Sequence, residues 1–261
     1  MSPENSRDPI VELCHVSYSI DLPDGTRRAI LSDVSFQIET RSITCLMGTS
    51  GSGKTTLLRL MAGLARPDEG EVRVFGRDIS RLKERELNAV RGEMGFVFQY
   101  SALFDSLSVG QNIGFSLDRK RRPRAEINRV VADLLAEVGL SGLEDKRPSE
   151  LSGGMKKRVA MARALAANPK LVLYDEPDSG LDPVMTRVID DLILEMRREK
   201  QTTNVVVSHN VASIWRIADR VLMLNDAQII ADGSPRELET SNVPVVRQFI
   251  EGRADGPIQI K

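Results

Sequence analysis

At 261 residues the chain can bury roughly three quarters of its unfolded surface, so it is expected to form one large domain or a core carrying lobes. A formal net charge of -1 excludes the strongly basic balance of a general nucleic-acid binder, and no nucleic-acid partner is expected. Hydrophobic residues at 41% and charged residues at 28% are the proportions of a soluble globular protein, not of a membrane-embedded or disordered one.

The opening MSPENSRDPI lacks the apolar core of a secretory signal, and no stretch approaches ~18 continuous apolar residues, so membrane contact is expected only through partners. Cys14 and Cys45 have no metal-ligand spacing and read as small hydrophobes in a reducing compartment. In chain order, VELCHVSYSI and AILSDVSFQIE read as strands joined by the turn-rich DLPDGT. SITCLMG is a buried strand running into a glycine loop. The following KTTLLRLMAGL is a helix with Leu57, Leu60, Met61 and Leu64 on one face.

EMGFVFQ is a second buried strand. A helical, more variable stretch follows from about Leu103 to Leu151. KLVLYDEP and TNVVVSHN are further strands, and RVLMLNDAQIIADG is a strand pair turning near Asn225 and Asp226. Strands alternating with helices predict a mainly parallel sheet covered on both faces.

GTSGSGKT, from Gly48 through Thr49, Ser50, Gly51, Ser52 and Gly53 to Lys54 and Thr55, fits the phosphate-loop pattern and is followed by Thr56. Its glycines let backbone N–H groups wrap a phosphate, Lys54 neutralises phosphate oxygens, and the Thr55 hydroxyl can coordinate Mg2+. Asp175 and Glu176 end a buried strand, where open parallel sheets bind their ligands. Asp175 is expected to hold Mg2+ and Glu176 to polarise an attacking water. Gln99 and His209 also end strands, so Gln99 can reach the metal or the water and His209 the γ-phosphate.

A second glycine feature opens at SELSGGMKKRVAMARAL. Ser152 is a good N-cap before Gly153 and Gly154, and Met155, Val159, Ala162 and Ala166 form the apolar face. Lys156, Lys157 and Arg163 are expected on a solvated face. At this level a plain capped helix and an anion-binding helix start read alike.

Taken in order, the phosphate loop, Gln99, LSGGM, YDEP, SGLD and His209 resemble the ATP-binding cassette (ABC) ATPases over nearly the whole chain. The resemblance implies an α/β fold with a RecA-like P-loop core, an N-terminal antiparallel β lobe and a helical lobe at about 100–160. Residues 1–240 would be the cassette and 241–261 a tail able to contact a dimer partner. It also implies a homodimer sandwiching two ATP molecules with Mg2+. Ser152, Gly153 and Gly154 would then face the γ-phosphate held by Lys54 of the other chain, and Asp182 would communicate across the interface. Tyr18 occupies the place of the aromatic residue that stacks on adenine. Asp178 stands where many members have Thr, a departure expected to leave metal and base untouched.

FQYSALFDSLSVGQNIGFSL and the tail VRQFIEGRADGPI resemble more narrowly the cassettes of MCE (mammalian cell entry) lipid transport systems. That likeness implies phospholipid transport powered through integral-membrane permease subunits, with an MCE-domain lipid-binding protein. The chain would sit peripherally at the cytoplasmic face of the inner membrane. Another ABC importer or extruder class, for amino acids, osmolytes or lipoprotein release, is the alternative. Phe249 and Ile250 in the tail are expected to be packed. Phe98, Tyr100, Leu103 and Phe104 either line a permease groove or pack inside the helical lobe. The basic run from Arg119 to Arg124 reads as a solvated loop.

Overall fold

A computed structural model of the protein describes residues 9–258. Two sheets share one core region. The first contains β1 (Pro9–Asp21), β2 (Arg27–Glu39), β4 (Glu69–Val74) and β5 (Arg77–Asp78) in the order β2-β1-β4-β5, all antiparallel. Burial alternates along much of β2, as expected of a sheet with one face on a core and one in water.

The second sheet contains β3 (Ile43–Gly48), β6 (Met94–Val97), β7 (Leu171–Asp175), β8 (Thr203–Val207), β9 (Arg220–Asn225) and β10 (Gln228–Gly233), in the order β10-β9-β3-β8-β7-β6. All its pairings are parallel except β9 with β10. Every residue of β3, β7 and β8 is buried, because helices or the first sheet cover both faces. Successive residues of β3 feed opposite cores. Cys45 and Met47 join one with α5 (Gly153–Leu165), α6 (Pro183–Lys200) and α7 (Val211–Ile217), whereas Leu46 joins the other with α1 (Lys54–Met61) and the antiparallel sheet. Leu57, Leu60 and Met61 anchor α1 there, each stabilising the fold by roughly 1.5–3 kcal/mol. Leu64 does not join them. The helix ends at Met61, the chain turns at Gly63 with φ 64°, and Leu64 is left 52% exposed.

α2 (Glu84–Arg91) leads into β6. The helices α3 (Val109–Arg119) and α4 (Arg124–Glu137) pack on α5 through Ile113, Val131 and Leu134. The run from Arg119 to Arg124 is the exposed connection between α3 and α4, with Lys120 donating to the Gly92 carbonyl at 3.3 Å. After α8 (Pro235–Glu239), α9 (Pro244–Glu251) inserts Val246 into the α6–α7 core, with Phe249 and Ile250 packed against that core of their own chain. Buried Gln248 ties down the last described turn. It accepts from Ile258 N at 2.7 Å and donates to the carbonyls of Arg253 and Ile258. Among the described residues no helix is long and apolar enough to cross a membrane.

Candidate functional site: a phosphate loop beside a clamped acid

Because β3, β8 and β7 are neighbours, with Leu46 opposite Val207 and Val207 opposite Asp175, the loops after all three strands open at the same sheet edge. The loop after β3 needs its glycines. Gly48 has φ 141°, and a Cβ there would lie 2.1 Å from the Leu224 carbonyl oxygen. Gly53 caps α1 at φ 104°, and a Cβ would meet the Ile30 carbonyl oxygen at 2.8 Å.

Lys54 is only 5% exposed and points back into this loop, donating to the carbonyls of Gly48 at 2.9 Å and Thr49 at 2.7 Å. Burial pulls its pKa down to about 8, although the carboxylates of Glu176 and Asp175 favour its charged form. Thr55 donates from Oγ1 to Asp175 Oδ1 at 2.9 Å. Burial raises the Asp175 pKa above the ordinary value, partly offset by that hydrogen bond. A hydroxyl and a carboxylate joined beside a phosphate loop form the hard oxygen donor set that suits Mg2+ shared with a nucleotide.

Glu176 has both carboxylate oxygens held. Gln99 donates from Nε2 to Oε2 at 2.8 Å, and His209 Nε2 lies 2.6 Å from Oε1. Its backbone is left-handed at φ 48°, a conformation that costs a non-glycine residue about 1–2 kcal/mol. Gln99, expected to reach the metal or the water, therefore rests here on Glu176.

A cleft of about 290 Å3 is lined by Ser50, Gly51, Gly53, Lys54, Thr55 and Thr56 of the loop and helix start, together with Glu176 and His209. Arg28 and Ile30 of β2 complete it. Sequence reasoning missed this pair, because strand alternation does not tell which sheet overhangs which loop. Tyr18 is not on this wall; it lies half-buried on β1 against the core beneath the antiparallel sheet. A larger cleft of about 780 Å3 along α6, at Arg41, Glu195 and Arg198, shares no residue with the phosphate loop.

The second glycine feature does not line this cleft. Ser152 caps α5, accepting from Met155 N at 3.3 Å, and both Ser152 and Gly153 are exposed. Gly154 is buried under Met185, where a Cβ would come within 2.9 Å of the Met185 Cε. Asp182 caps α6, accepting from Val184 N and Met185 N at 2.9 Å each. Next to it Val184 is 73% exposed.

Two polar side chains of α5 depart from the expected solvated face. Lys157 is 8% exposed and donates to the Glu176 carbonyl at 3.2 Å. Arg163 donates to the carbonyls of Ala102 at 2.6 Å and Ser101 at 2.8 Å. α5 is covered on several sides, so its long cations turn inward to satisfy backbone carbonyls. Asp178, a departure expected to leave metal and base untouched, accepts from the Ser208 hydroxyl at 2.8 Å, one residue before His209.

A glycine loop between a buried parallel strand and a helix, with an acidic pair at the end of the next strand but one in the same sheet, defines a P-loop nucleoside triphosphatase. Residues 31–179 match the family described as ABC transporter. The chain belongs to that family and is an ATP-binding ATPase whose hydrolysis is coupled to transport. It is 42% identical over 274 residues to protein TRIGALACTOSYLDIACYLGLYCEROL 3, chloroplastic, of Arabidopsis thaliana, covering 98% of this chain and 77% of that one. It is 41% identical over 259 residues to the intermembrane phospholipid transport system ATP-binding protein MlaF of Escherichia coli strain K12, covering 99% and 94% respectively. Among solved structures, the dimeric post-hydrolysis state of the ATP-binding cassette MJ0796 bound to ADP and Pi superposes with a TM-score of 0.81 at 31% identity. That match covers 87% of this chain and 99% of the other.

Proposed function

We propose that this chain is the ATPase subunit of a complex that moves phospholipid between membranes, working as a homodimer on integral-membrane permease subunits at the cytoplasmic face of the inner membrane. An MCE-domain protein would collect or deliver the lipid. The substrate class is carried by one observation, the 41% identity to a phospholipid transport ATP-binding protein over 99% of the chain.

The chemistry follows from the clamped acid. The Gly48–Thr56 loop holds the phosphates, Lys54 sits against the β- and γ-oxygens, and Tyr18 stacks on adenine further out. Thr55 and Asp175, with Gln99, would hold Mg2+, which neutralises charge on the phosphates when bound. Water attacks the γ-phosphorus, its proton passes to Glu176, and the bond to the β–γ bridging oxygen breaks, giving ADP and phosphate. The hydrogen bonds that Glu176 accepts from Gln99 and His209 support this role, because they fix both carboxylate oxygens on the wall that also carries Lys54. His209, which lines the same cleft, would contact the γ-phosphate.

Ser152, Gly153, Gly154 and Asp182 would complete the second chain's site. The exposure of the first two supports that reading, since a capped helix start open to solvent offers N–H groups to an incoming phosphate. Phe98, Tyr100 and Phe104 are exposed, Tyr100 at 87%, which favours a permease groove over interior packing for these three. Leu103 packs inward.

Native purification from detergent-solubilised membranes tests the reading. Recovery with a permease, an MCE-domain chain and phospholipid is expected. Recovery with a periplasmic amino-acid-binding protein and its permease overturns the lipid assignment.

A further inference from the structure

The left-handed backbone of Glu176 is held from outside its own strand. Its N–H donates to the Val207 carbonyl at 3.0 Å, and its carbonyl accepts from Ser179 N at 3.2 Å and from Lys157 Nζ at 3.2 Å. Lys157 reaches in from α5, about one turn after the exposed Ser152 that opens the helix. Burial lowers its pKa, while the carboxylates of Asp178 and Glu176 favour its charged form.

Asp178 also reaches the other side of the clamp. It accepts from the Ser208 hydroxyl at 2.8 Å, and that hydroxyl accepts from Asn210 N at 2.9 Å. Ser208 and Asn210 flank His209, whose ring lies 2.6 Å from Glu176. The buried cation therefore touches the backbone of the acid, and Asp178 is tied through the Ser208 hydroxyl to the segment that carries the histidine.

We propose that Lys157, Asp178 and Ser208 are positioning residues for hydrolysis: together they hold Glu176 in its left-handed conformation and keep His209 in register with its carboxylate. The inference rests on the reading of Glu176 as the residue that takes the water proton. A base must sit within hydrogen-bond reach of that proton, and a misplacement of about 1 Å costs on the order of 100-fold in rate. Binding of ATP to a single chain depends on the loop and Lys54, which these three residues do not touch.

The test uses the full chain carrying Lys157→Met, Ser208→Ala or Lys157→Arg, beside wild type and Glu176→Gln. ATP affinity, steady-state phosphate release and the thermal midpoint are measured for each. Lys157→Met and Ser208→Ala should lower kcat roughly ten- to hundred-fold with ATP Kd within about two-fold of wild type, and Lys157→Arg should recover most of kcat. If both variants turn over within about three-fold of wild type while Glu176→Gln is inactive, the positioning role is overturned and the base assignment stands. A loss that follows ATP affinity and thermal midpoint instead of kcat assigns a structural role and also overturns the inference. An active Glu176→Gln removes the base assignment and the inference with it. Should Lys157→Met fail to fold, Ser208→Ala carries the same decision.

Discussion

The lysine of the phosphate loop makes ATP binding a proton-linked event on the alkaline side. Without nucleotide, the Lys54 ammonium is buried among carbonyls and its pKa falls from 10.5 to about 8. A bound triphosphate places several negative charges beside it and restores the charged form. Above about pH 8 binding must therefore take up a proton, and ATP affinity should fall by up to tenfold per pH unit. The gap of about 2.5 pH units corresponds to about 3 kcal/mol, so the whole effect is at most ~300-fold by pH 10.5. The terminal phosphate finishes its own ionisation well below this window. The sign for folding is the opposite. Between about pH 8 and 10.5 the nucleotide-free folded chain binds fewer protons than the unfolded one, so Lys54 makes its stability rise with pH. Calorimetric titration with ATP at pH 7 and pH 9, in buffers of different ionisation enthalpy, measures the linked proton. About 0.9 proton should be taken up at pH 9 and almost none at pH 7. An ATP Kd that stays flat over this range with no buffer-dependent heat would refute the argument.

Glu176→Gln should bind ATP and accumulate as a closed dimer, with phosphate release reduced by ~10²–10⁴; a steady-state rate within a few-fold of wild type removes the base assignment. Ser152→Arg should leave ATP binding by the single chain nearly intact while abolishing ATP-driven dimerisation in size-exclusion light scattering. Loss of nucleotide binding by the monomer would instead place Ser152 in its own chain's site. Gly95→Ala puts a Cβ 2.6 Å from the Ala164 carbonyl oxygen, where β6 and α5 meet, and should cost about 1–3 kcal/mol in denaturant unfolding. A change below about 0.5 kcal/mol would mean that the helix yields freely there.

What could be read from the residues alone is what depends on local chemistry. The strand–loop–helix of the phosphate site follows from an apolar run, glycines forced by close backbone contacts and a lysine, all adjacent in the chain. The cap at Ser152 and the hairpin at Asn225 are equally local, whereas the cap that Asp182 makes on α6 came only with the structure. What could not be read depends on which surfaces the fold brings together. A periodic pattern marks Lys157 and Arg163 as off the apolar face of α5, and only the packing of α5 among several neighbours turns them inward onto carbonyls. Arg28 looks like a solvent-facing strand residue until the antiparallel sheet is set over the loop. The left-handed Glu176 has no signature at all, because Glu has no preference for that region and the strain is imposed by partners far away in sequence.

These long-range features meet on α5. At its N-terminus Ser152 and Gly153 are exposed; about one turn later Lys157 is on the carbonyl of Glu176. A helix is stiff over so short a length, so a displacement of its first turn is carried to Lys157 and cannot be absorbed between them. The exposed end of α5 is thus mechanically continuous with a residue that touches the strained backbone of Glu176. A strained backbone persists only while its surroundings hold it, so the Lys157 contact matters more at Glu176 than it would on a relaxed strand.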